Sequence, residues 1–87
     1  MSHRKLKMKS KIMLKIIDIR AAIERERANK KRDNENYAAR IKSATSTDSK
    51  ASWRKSKISA AASHDRTIER LKNDLERAKE ALKREKN

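Results

Sequence analysis

Ser63-His64-Asp65 places the three side chains of a hydrolase triad side by side. A working triad needs hydroxyl, imidazole and carboxylate to converge. Consecutive helical residues point about 100° apart, so this tripeptide reads as a polar turn or helix surface. His64 would then lie at the edge of the apolar seam. The other histidine, His3, sits in the terminal turn, and there is no cysteine. Two scattered histidines without thiolates do not make a metal site. Acid pairs such as Glu24/Glu26 and Glu76/Glu80 lie among Lys and Arg rather than across a cleft, where acid–base chemistry needs them. Glu76 with Lys79 and Glu80 with Arg84 have the spacing of intrahelical ion pairs. With no glycine, the chain lacks the loops that cradle nucleotide phosphates. The residues point away from an enzyme, and to no cofactor or metal.

The cations are the remaining chemistry. Lys and Arg number 26 against 12 Asp and Glu, a net charge of +14 on 87 residues. Arg4, Lys5, Lys7, Lys9 and Lys11 form a first cluster. Arg25, Arg27, Lys30, Lys31 and Arg32 form a second, and Lys50, Arg54, Lys55 and Lys57 a third. This excess is larger than solubility requires. Polyphosphate backbones attract such surfaces through counterion release. The excess is uneven: residues 1–67 carry 19 basic and 7 acidic groups, residues 68–87 seven and five. The last arm therefore reads as structural and the rest as contact surface. No helix-turn-helix, zinc-finger or RNA-recognition signature is present, so the expected contact is with phosphates rather than bases.

The elements that carry these charges must be helical. The chain has no Gly, Pro or Cys and is rich in Ala, Lys, Arg, Glu, Leu and Ile, which favours helix and disfavours tight β-turns and disulfide scaffolds. Ile68, Leu71, Leu75, Ala78 and Leu82 are spaced 3, 4, 3, 4, an a/d seam. Met8, Ile12, Ile16, Ile19 and Ile23 form a matching stripe. Between the two lies SATSTDS, residues 43–49, whose side chains compete with helical hydrogen bonds. Folding there pairs Ile23 with Ile68, Ile19 with Leu71, Ile16 with Leu75, Ile12 with Ala78 and Met8 with Leu82. The expected fold is an all-α, coiled-coil-like antiparallel helical hairpin. Its first arm is 1–42, its loop 43–49 and its second arm 50–87, in one helical domain. Each arm would be about 60 Å long, with Asp48 or Ser49 as N-cap of the second.

Two features complicate a lone hairpin. Residues 24–36 offer the seam only Ala28 as an apolar side chain. Breaks near Asn34 or His64 would give a third helix. Leu6, Met13, Leu14, Ile17 and Ala21 form a second apolar stripe, which a two-helix hairpin leaves uncovered. Leu6, Met13, Leu14 and Ile17 are thus the expected interface with a second protein chain or another copy, as in a bundle. The two aromatics, Tyr37 and Trp53, are expected to pack together and close the hairpin near its turn.

The expected function is binding of nucleic acid or a nucleic-acid-containing complex through Arg25, Arg27, Lys30, Lys31, Arg32, Arg54, Lys55 and Lys57. A chain of this kind would act as an accessory factor. By occupying a nucleic-acid path it would act as an inhibitor, with the character of a phage anti-defence protein. The alternative is a structural or adaptor coiled coil whose charge is incidental. No apolar run is long enough to cross a membrane. The basic first 23 residues lack the broad apolar face and aromatic anchors of a membrane-surface helix. A cytoplasmic location, the host's if the protein is viral, is expected.

Overall fold

The computed structural model describes the backbone of residues 2–86 and the side chains of residues 8–85. It is an all-α antiparallel hairpin of two helices, α1 (Ser2–Ser43) and α2 (Thr47–Lys86). The Cα trace measures 69 × 15 × 11 Å, one helix thick in one direction and two in the other. Neither helix breaks: α1 runs through Asn34 and α2 through His64. A local preference of Asn, Asp and Ser for turns is about a few tenths of a kcal/mol per residue, too small to interrupt helices packed together on both sides of these positions.

The turn is tighter than the Ser/Thr-rich stretch suggests. Only residues 44–46 lie outside helix, against an expected loop of 43–49. The N-cap is Ser46, not Asp48 or Ser49: its Oγ accepts the Ser49 N–H at 3.0 Å, and its carbonyl accepts the Lys50 N–H at 3.1 Å. This satisfies a donor that the first turn otherwise leaves orphaned. Asp48 falls inside the first turn of α2, where its charge still favours the helix N-terminus. On the other side, the Ser43 hydroxyl donates to the Ala39 carbonyl at 2.7 Å, and the Ala44 N–H to the Arg40 carbonyl at 3.0 Å.

The core lies toward the open end. Ile16, Ile19, Ile23, Ile68 and Ala78 are buried, and Ile12, Leu71, Leu75 and Leu82 pack against them. Both apolar stripes therefore meet in one seam. Met8 does not join it and is 48% exposed. Near the turn the seam is closed by aromatics, with Tyr37 and Trp53 ring centroids 6.0 Å apart and tilted by 47°. The Arg40 guanidinium stacks over the Trp53 ring at 4.8 Å, a favourable cation–π contact.

Candidate nucleic-acid interface

The eight expected phosphate-contacting cations split into groups with different surroundings. Arg25, Lys31, Arg54 and Lys55 are exposed, and Arg32 is exposed but lies 3.9 Å from Asp33. Arg27 is exposed but pairs with Glu24 at 3.2 Å. Lys30 is turned into the hairpin, where its Nζ donates to Asp65 Oδ1 at 2.6 Å across the two helices. It is a structural residue first. Lys57 is half-buried.

Helical geometry divides them further. Arg25 and Arg32, seven residues apart, share one face of α1. Arg27 and Lys31, four apart, share another, about 120–160° away from Arg25. Lys30, Arg54 and Lys57 line one groove together with Asn34, Ala38 and Ile58. The cations thus wrap the turn-proximal half rather than forming one plane. In that half, residues 36–64 carry Arg40, Lys42, Lys50, Arg54, Lys55 and Lys57 against a single acid, Asp48. The second apolar stripe lies open nearer the far end: Met13, Leu14 and Ile17 are 53%, 61% and 58% exposed. The side chain of Leu6 lies outside the described residues.

The hairpin's middle, apolar-poor in the sequence, is held by ions. His64 Nδ1 donates to Glu26 Oε1 at 2.5 Å, and His64 Nε2 donates to Asp33 Oδ2 at 2.7 Å. Both ring nitrogens can donate only in the imidazolium form. The Glu26 hydrogen bond, then that to Asp33, raises the His64 pKa above its ordinary value, against a smaller desolvation effect. Beside this bridge lies the Lys30–Asp65 pair. The signal was available as spacing. Glu26, Lys30, Asp33 and Tyr37 continue the 3, 4 rhythm of Ile16, Ile19 and Ile23, and Lys57, Ala61 and His64 do the same toward Ile68. The seam runs on with polar residues in its core positions.

A raised folded-state pKa has a defined sign. Its stabilisation is complete below the unfolded value of about 6.5 and is lost as pH rises through the folded value. Denaturant unfolding should therefore show stability falling as pH rises above about 6.5. His64→Gln, which cannot titrate, should flatten that dependence. An equal pH slope in the variant would remove His64 as its source.

Ser63, His64 and Asp65 do not converge: His64 faces Glu26 and Asp33, and Asp65 takes Lys30. The two carboxylates on His64 approach opposite ring nitrogens. Among the described residues no group of three His, Asp or Glu is arranged to hold a metal ion. Of the two expected intrahelical pairs, Lys79–Glu76 forms at 3.4 Å. Glu80–Arg84 is not among the ion pairs of the described residues, which instead include Arg77–Asp74 at 3.6 Å. No described helix is long and apolar enough to cross a membrane.

Compared with protein-family models, with curated proteins and with solved structures, the chain shows no significant match to any of them.

Proposed function

We propose that this protein is a non-enzymatic helical hairpin that binds nucleic acid, or a complex containing it, by contacting phosphates with its turn-proximal half. One observation carries the reading: the six cations of residues 36–64 face a single acid. In addition, Glu26 and one oxygen of Asp33 are engaged by His64, while the other Asp33 oxygen lies 3.9 Å from Arg32. A charge field of this kind binds phosphate backbones without regard to base sequence. By occupying a nucleic-acid path, such a rod would act as an accessory or inhibitory factor, of the kind a phage uses against a host nucleoprotein. This role carries a cytoplasmic site of action with it.

Fluorescence anisotropy with two labelled duplexes of unrelated sequence, at about 50 mM salt where phosphate contacts are strongest, tests the reading. Saturable binding of both with similar affinity is expected. Absence of binding at that salt would overturn it.

The exposed Met13, Leu14 and Ile17 favour a second reading, an adaptor that assembles with another chain through this stripe. In that case the charge is incidental and the anisotropy experiment shows no binding.

A further inference from the structure

A groove of about 660 Å³ opens between the helices on the turn side of the His64 bridge. Its floor is apolar, formed by Ala38 and Ile41 from α1 and Ile58 and Ala61 from α2. Ile58 is 71% exposed, the most exposed of the large apolar side chains described. The rim carries Lys30, Arg54 and Lys57, and no carboxylate lines it. Lys30 is neutralised by Asp65. Arg54 and Lys57 form no ion pair among the described residues.

We propose that this groove is the docking site for an acidic amphipathic helix of a partner protein. Two helices packed side by side leave a furrow along which a third helix lies in a three-helix bundle. From Lys30 to Ile41 the furrow spans about 16 Å, three turns of a helix lying over it. Apolar side chains at i, i+4, i+7 and i+11 of that helix reach the floor, as in other helix-in-groove recognition. Carboxylates flanking them meet Arg54 and Lys57.

Charge and polarity choose the occupant. A phosphate backbone would satisfy the cations but leave Ile58 and Ile41 against water. A second copy would bring +14 against +14. Only a ligand both anionic and apolar on one face satisfies floor and rim together. The site shares Arg54 and Lys57 with the phosphate-binding reading and is distinguished from it by the apolar floor, which phosphates do not use.

The probe is a labelled helix-forming peptide of Glu, Ala and Leu with its leucines on one face. The controls are a scrambled peptide of the same composition and polyglutamate. The patterned peptide should bind the full chain at least about tenfold more tightly than either, roughly one well-buried apolar anchor. Ile58→Ser should weaken peptide binding by a similar factor and leave duplex DNA binding and the helical circular dichroism unchanged. Equal binding of the scrambled peptide would mean charge alone, and would overturn the proposal. So would unaltered peptide binding by Ile58→Ser, or duplex binding lost together with peptide binding. A wild-type dimer in sedimentation that Ile58→Ser converts to monomer would assign the groove to a second copy, and would also overturn it.

Discussion

Leu71→Asp combined with Leu75→Asp should abolish the hairpin. Both side chains pack on the cluster of Ile16, Ile19, Ile23, Ile68 and Ala78. Each substitution loses about 2 kcal/mol of apolar burial, and a carboxylate facing isoleucines adds a desolvation cost of about 1–3 kcal/mol. Stability at about 0.05 kcal/mol per residue, the low end for folded domains, comes to about 4 kcal/mol for this chain. The low end applies because no large side chain among the described residues is fully buried and two helices in one layer bury little surface. The pair of substitutions therefore costs more than the hairpin has. Thermal unfolding should lose its cooperative transition and circular dichroism at least half its helical signal. Asn73→Asp, on the same turns but exposed, should leave both intact, which separates misplaced charge from charge itself. A double variant that melts cooperatively at the wild-type temperature would remove the seam as the organising contact.

The second large effect concerns Lys31 and Lys55. Lys31 lies seven residues before Ala38, and Lys55 three before Ile58, so helical spacing places both beside the groove's face without lining it. Both are exposed, and neither forms an ion pair among the described residues. Lys31→Glu with Lys55→Glu should leave helicity unchanged. If each contacts one phosphate, the log–log salt slope should shrink by about 1.8, and duplex affinity at 50 mM salt should fall by about 10²-fold. Arg25→Glu with Arg32→Glu tests a different face of α1, about 100–120° from Lys31. A comparable loss there would mean the nucleic acid wraps the rod. Helix content unchanged with affinity unchanged in both doubles would place binding elsewhere.

Much of the hairpin is legible in the order of its residues. Ile68 to Leu82 and Ile12 to Ile23 have the 3, 4 rhythm, and the longest helix-competing stretch lies where their registers require a turn. What is hidden has physical causes. All seven residues of 43–49 are small and polar, apart from Ala44, and several can cap a helix. Composition therefore locates the turn but does not single out Ser46. In the middle, seam positions are held by Glu26, Lys30, Asp33 and His64, so apolar periodicity has a gap where the folded chain has an ion bridge. Cross-chain complementarity is the signal that finds it: an imidazolium faces two carboxylates once the register is known.

The candidate site shows the same division. Net charge and its bias toward residues 1–67 are read directly from composition. Which cations stay free is not, because pairing depends on neighbours from the other helix. Lys30 looks like its neighbours Lys31 and Arg32 in sequence, yet only Lys30 is drawn into the interhelical pair with Asp65. The groove has a similar origin. Ala38, Ile41, Ile58 and Ala61 are scattered in sequence and form a floor only when α1 and α2 are set side by side.

The salt dependence of duplex binding by the wild-type chain tests the central claim most directly. With about four to six phosphates contacted by the turn-proximal half, log affinity should fall linearly with log salt, with a slope of about −4 to −5. That is a loss of about 10²–10³-fold between 50 and 200 mM. No binding at 50 mM, or an affinity indifferent to salt, would contradict the account.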